Sequence, residues 1–220
     1  MSALSSWWQR LTGPRQAVDE QRWVVLDVET SGLDARRARL LAIAALAVHR
    51  DGARWRIVPA DSFEVVLRYE PQEAGAPDRD NILLHGIGVG SQRDGVARPD
   101  ALESFSAFVA DAPLVAFHAA FDRTMIERAC RRENLPVPAN PWLDLEPLAG
   151  VLMPQVRARS LDEWMHELAI PCLARHEAAA DTLATAELLL RLTPRLNAEI
   201  GGAGFAAAQA LAAQRRWVGA

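Results

Sequence analysis

Residues 23–30 read Trp-Val-Val-Leu-Asp-Val-Glu-Thr and are followed at once by Ser31-Gly32. The run is apolar and β-branched up to a turn signal, which predicts a central strand ending at the glycine. Two carboxylates interrupt it. Asp27 and Glu29 are two residues apart, so strand alternation turns both side chains to the same face. Like charges in an otherwise buried strand repel and resist desolvation, and the arrangement is costly unless a cation or a basic partner compensates. A divalent metal is the economical compensation; an edge position facing solvent is the other reading of the same pair.

Leu40–Val48 and Ser62–Tyr69 are further strand candidates, and Asp51-Gly52 marks a hairpin turn into a short strand at Arg54–Val58. Beyond Pro99 the pattern alternates. Ala101–Ala110 is predicted helical, Leu114–Phe117 a short buried strand, and Phe121–Glu133 a helix with Met125, Ile126, Ala129 and Cys130 on one face. A short strand at Trp142–Leu143 ends in Asp144, and Ser160-Leu-Asp-Glu163 has the capping-box pattern of a helix start. His176–Leu192 is predicted as a long helix, and Gly201-Gly-Ala-Gly204 sets off a C-terminal helix at Phe205–Trp217. Antiparallel strands first and β-α-β units afterwards suggest an α/β domain with a mixed central sheet and flanking helices. The expected division is an N-terminal arm at 1–20 carrying Trp7 and Trp8, a body at 21–195 and a helical tail at 196–220.

The chain has 220 residues, half of them hydrophobic, and a formal net charge of −4. All 24 basic residues are arginine. Without lysine there is no ε-amine for a Schiff base, a pyridoxal-phosphate anchor or a Walker A loop, so those enzyme classes are excluded. No stretch has the length and apolarity of a membrane span, and the N-terminus lacks the order of a secretory signal; a cytoplasmic protein is expected. Cys130 and Cys172 are expected to be reduced core thiols.

Two more pieces carry chemistry. Residues 115–122, Val-Ala-Phe-His-Ala-Ala-Phe-Asp, run from a strand through small residues to an Asp that opens a helix, where capping alone also accounts for Asp122. His176 and Asp181 open the last long helix of the body, and such pairs also arise without a shared role. His176-Glu177 does not begin an H-E-x-x-H zinc site, because the second His position is Ala180. Gly86-x-Gly88-x-Gly90 lacks the spacing and the strand-to-helix context of a dinucleotide loop.

In order, Leu26-Asp-Val-Glu-Thr-Ser-Gly32, His85-Gly-Ile87, Phe117-His-Ala-Ala-Phe-Asp122, Ser160-Leu-Asp162 and His176 to Asp181 resemble the DEDDh 3′–5′ exonucleases. Within that superfamily they are most similar to the epsilon (DnaQ-like) proofreading exonucleases of bacterial DNA polymerase III. The DEDDy branch would carry a tyrosine at 177, where this chain has Glu177. The resemblance covers about residues 22–193 and implies a ribonuclease-H-like fold that hydrolyses the terminal phosphodiester of single-stranded DNA 3′ ends to nucleoside 5′-monophosphates. It implies two Mg²⁺ or Mn²⁺ ions held by Asp27, Glu29, Asp122 and Asp181, with His176 as general base. It also implies substrate contacts from Thr30, Asp80, His85 and Phe121, for which a core position at a helix start is the other reading of Phe121. A DNA polymerase would be engaged in trans. Arg36, Arg37 and Arg39 could meet phosphates or form a solvated turn. The alternatives are a 3′–5′ exoribonuclease of oligoribonuclease or RNase T type, and a non-catalytic module that binds nucleic acid or a polymerase. The chain departs from the pattern at Leu41-Ala-Ile-Ala44, which lacks the family's second-strand Glu, and at His118, where relatives often have Asn.

Overall fold

A computed structural model describes residues 18–69, 87, 89–172, 175–202 and 204–215. The opening stretch forms β1 (Arg22–Thr30), followed by β2 (Leu40–Asp51) and β3 (Arg54–Val66). The two strands predicted at 54–58 and 62–69 are one continuous strand. Pro59 within it cannot donate to a ladder, and β3 tolerates it because it lies at the edge of the sheet. Then come α1 (Val89–Arg93), α2 (Arg98–Val109), β4 (Leu114–Ala116), α3 (Ala119–Arg132) and β5 (Trp142–Asp144). The chain closes with α4 (Leu145–Leu152), α5 (Leu161–Glu167), α6 (Ala178–Ile200) and α7 (Phe205–Ala213).

The sheet order is β3-β2-β1-β4-β5, with β1 central, antiparallel to β2 and parallel to β4. The mixed α/β architecture expected from the sequence is therefore present. α1 and α4 were not expected. In α4 the chain passes from a three-residue strand straight into a helix, and the Asp144 side chain caps it by accepting the Glu146 N–H at 3.2 Å. Pro147 falls in the first turn, where its missing N–H has no helical partner to lose.

Alternation along β1 divides the core in two. Trp23 and Val25 face α4, α6 and α7, packing with Leu148, Leu188 and Phe205. Val24, Leu26 and Val28 face α2 and α3, packing with Phe105, Met125 and Ile126. Trp23 meets both Trp55 and Phe205 edge-on, with ring centroids 4.6 and 4.8 Å apart. Full burial of side chains this size contributes roughly 1.5–3 kcal/mol each, so α7 adds to the same core as the sheet. Cys130 is buried and Cys172 half-buried, neither in a disulfide, and burial pushes the Cys130 thiol up to about 11. Among the described residues no helix is long and apolar enough to cross a membrane.

Candidate active site

The parallel strands β1, β4 and β5 end along one edge of the sheet, the carboxyl end at which open α/β sheets place their ligands. Alternation that buries Trp23 and Val25 also turns Asp27 and Glu29 toward α6. The first turn of α6 presents Asp181 there, where a carboxylate suits the helix dipole. Oxygens of Asp27, Glu29 and Asp181 all lie within 4.8 Å of one another. α6 approaches β1 closely because its β2 neighbours are small: Ala44 stands opposite Asp27 and Ala42 opposite Glu29, and the buried Thr182 hydroxyl donates to the Ala44 carbonyl at 3.3 Å. The stretch that lacks the family's Glu is thus a packing surface for the helix that carries Asp181.

Asp122 enters from the first turn of α3, 4% exposed, its carboxylate accepting backbone N–H groups of Asp122 itself and of Val28. Burial raises its pKa to about 8 against those hydrogen bonds, with Asp144 adding to the rise. Burial also pushes Glu29 up to about 8, reinforced by the Asp181 charge and opposed by Arg175. Asp27 is raised well above the carboxylate range by burial and then by Asp122, Glu29 and Asp181. Three acids displaced upward by desolvation and mutual repulsion form a site short of positive charge. An all-oxygen donor set of this kind fits a hard divalent cation such as Mg²⁺ or Mn²⁺.

His176 is not on the helix. It precedes α6 in the left-handed region, at φ +64°, and its backbone N–H donates to Asp181 Oδ2 at 3.2 Å. The helix starts at Ala178 because a residue held at positive φ cannot belong to a right-handed turn. Beside it, Arg175 donates to Asp162 at 2.5 and 3.1 Å and also to Asp181, so one guanidinium ties α5 to the acidic site. Asp162 lies in the Ser160-Leu-Asp162 segment already noted, but its partner Arg175 was not foreseen, because the pair is 13 residues apart and joined only by folding. Asp144 was also missed as a member of the site. Its carboxylate accepts the His118 N–H at 3.0 Å, steadying a residue at φ +60°, a conformation open to His as to Asn. The available signal was a strand ending in an acid on the same sheet edge.

Thr30 is buried at the end of β1, and its hydroxyl donates to the Gly32 carbonyl at 2.8 Å. Phe121 is half-buried against the α2/α3 core, one residue before Asp122. Asp80 and His85 lie outside the described residues, as do Trp7 and Trp8.

A mixed sheet whose central strand carries two acids on one face, joined by aspartates from two helix N-termini, defines a ribonuclease-H-like fold of the DEDD exonuclease kind. The chain belongs to the exonuclease family, whose sequence profile matches residues 24–189. It is 32% identical over 188 residues to a DNA polymerase III subunit epsilon-like protein of Rhodobacter capsulatus, covering 82% of this chain and 25% of that protein. It is 30% identical over 179 residues to a PolC-type DNA polymerase III of Oceanobacillus iheyensis, covering 80% of this chain and 12% of that protein. A ribonuclease T of Haemophilus ducreyi is 28% identical over 195 residues, covering 81% of this chain and 87% of that protein. The chain thus spans a quarter or less of the length of the two polymerase-related proteins. In fold it is similar to E. coli exonuclease I in complex with a dA16 oligonucleotide, with a TM-score of 0.67 at 17% identity over 82% of this chain and 43% of that one.

Proposed function

We propose that the chain is a metal-dependent 3′–5′ exonuclease that removes nucleoside 5′-monophosphates from single-stranded DNA ends in proofreading or repair. The observation that carries this reading is the gathering of Asp27, Glu29 and Asp181 within 4.8 Å, with buried Asp122 alongside. A purely binding module has no use for acids whose crowding opposes both folding and phosphate. Asp27, at the centre, is positioned to touch both halves of the site; Glu29 and Asp181 form one half with it and Asp122 the other. When bound there, Mg²⁺ or Mn²⁺ ions supply charge neutralisation for the phosphodiester and lower the pKa of water.

The chain's own residues do the rest. His176 accepts the proton of the attacking water, an imidazole nitrogen being a suitable general base. Its hydrogen bond to Asp181 and the positive-φ turn fix the backbone from which the ring projects. Thr30 offers its backbone to the terminal 3′-OH, Phe121 lies against the terminal base, and Asp80 and His85 complete the nucleotide contacts. A DNA polymerase acting in trans is the partner this role calls for. DNA is favoured by the polymerase III relatives. The second reading, a 3′–5′ exoribonuclease, has one specific support, the ribonuclease T that the chain matches over 87% of that protein's length.

The test is to incubate 5′-labelled single-stranded DNA and RNA of equal sequence with the protein and Mg²⁺, Mn²⁺ or EDTA, alongside Asp27→Ala. Metal-dependent laddering of DNA from the 3′ end, absent in the variant, is expected. No shortening of either strand overturns the enzyme reading, and faster RNA trimming replaces DNA by RNA.

A further inference from the structure

Beside the acidic site lies a groove of opposite character. Arg37, Arg39, Arg98, Arg128 and Arg132 line it together, five of the 24 arginines in a chain of net charge −4. Met125 and Ala129 contribute apolar lining.

Two elements connect this groove to the acids. Along α3, Asp122, Met125 and Ala129 follow one buried stripe at i, i+3 and i+7, so the two lining residues lie one and two helical turns, up to about 10 Å along the axis, from the acid. From β1, Glu29 and Thr30 lead into Ser31, whose N–H donates to the Arg39 carbonyl at 2.9 Å and whose hydroxyl accepts the Arg39 N–H at 2.8 Å. Arg39 therefore sits across the strand end from the residue next to Thr30. The segment carrying Arg37 and Arg39 is pinned to α3 by Arg128, which donates to the carbonyls of Ala35 and Ala38. The Arg39 guanidinium lies 5.0 Å from the centre of the Tyr69 ring, and Arg98 pairs with Glu133 at 3.3 Å. The carbonyl contacts of Arg128 and the ring contact of Arg39 orient those guanidinium groups without removing their charge, whereas buried Arg98 is balanced by Glu133. Arg37 at the rim is 90% exposed, with only a 3.8 Å approach to Asp34.

We propose that this groove is a second nucleic-acid contact that holds backbone phosphates of the strand upstream of its 3′ end. Guanidinium forks match phosphate oxygens in pairs, and in a chain without lysine every cationic phosphate contact falls to arginine. Apolar lining between the arginines suits sugar and base surfaces without reading sequence. An upstream grip would also let an acidic protein retain a polyanion that its net charge repels. The inference rests on the exonuclease reading for the direction of the strand, though not for its binding.

The experiment compares wild type, Arg37→Ala/Arg132→Ala, and Arg54→Ala at the far hairpin as a control. With Mn²⁺, kcat/KM is measured from 50 to 500 mM NaCl on a single-stranded 15-mer. It is also measured on the p-nitrophenyl ester of thymidine 5′-monophosphate, which has no upstream phosphates. Anisotropy of the labelled 15-mer in EDTA gives its Kd over the same salt range. Losing two single-strand phosphate contacts lowers the salt slope by roughly 1.4, so the double variant's deficit in 15-mer binding and kcat/KM is about 25-fold larger at 50 than at 500 mM salt. Ester hydrolysis and the control stay at the wild-type level. An unchanged salt slope overturns the proposal, and so does an equal loss on the ester, which would mean a damaged acidic site. If wild type cleaves neither substrate, the exonuclease reading fails by itself, and the groove is judged on the anisotropy slope.

Discussion

Crowded acids with raised pKa values must release protons when a cation takes them. In the metal-free protein Glu29 and Asp122 are each pushed up to about 8. At pH 7.5 each is then about three-quarters protonated, so ligation, which requires the carboxylate form, releases roughly 1.5 protons from these two, and Asp27, raised in the same direction, adds to the release. At pH 9.5 the two together hold less than about 0.1 proton, and the release from them disappears. The sign for stability follows from the same shifts. The folded state holds these protons more tightly than the unfolded chain, so metal-free stability is fullest below the unfolded carboxylate range and falls as pH rises through about 8. With saturating Mn²⁺ that fall is removed. Titration calorimetry of MnCl₂ into the protein, in two buffers of different ionisation enthalpy at pH 7.5 and 9.5, reads the proton count directly. Thermal melts from pH 6 to 9 with and without Mn²⁺ read the stability. Zero proton release at pH 7.5, or the same release at both pH values, refutes the reasoning, because the acids would then be ordinary surface carboxylates.

Three further outcomes are expected. His176→Ala lowers kcat by roughly 10²–10⁴ while leaving the circular dichroism spectrum unchanged, and it removes an acidic limb from the pH–rate profile; an unaltered profile dismisses His176 as the base. Arg175→Ala tightens Mn²⁺ binding, measured by calorimetry, about tenfold or more, because the cation no longer displaces a charge-assisted bond to Asp181 of about 1.5–3 kcal/mol; unchanged or weaker binding means that Arg175 does not compete for that carboxylate. Phe205→Ala costs about 3–5 kcal/mol, seen as a fall in Tm of roughly 6–20 °C, since the ring fills the space against Trp23; a fall of less than about 2 °C would detach α7 from the core.

Asp27 and Glu29 were legible from residues 23–30 alone, because a two-residue repeat and a turn signal are local facts. So were the strand-then-helix order, the mixed sheet and the Asp that opens α3. What no local pattern contained was the meeting of these pieces. Asp181 reaches Glu29 only because Ala42 and Ala44 let α6 sit close to the sheet. Asp144 bears on Asp122 only because β5 pairs with β4 in a register that ends both at one edge. His176 looked helical from its spacing to Asp181, whereas a backbone bond to that residue holds it at positive φ ahead of the helix. The five arginines of the groove come from three separate segments. The residue types capable of this chemistry are therefore written along the chain, where short-range sterics and alternation can be read. Their mutual distances, the burial that displaces their pKa values and the partnership of Arg175 with Asp162 and Asp181 belong to long-range packing, which exists only after the sheet and helices have closed on each other.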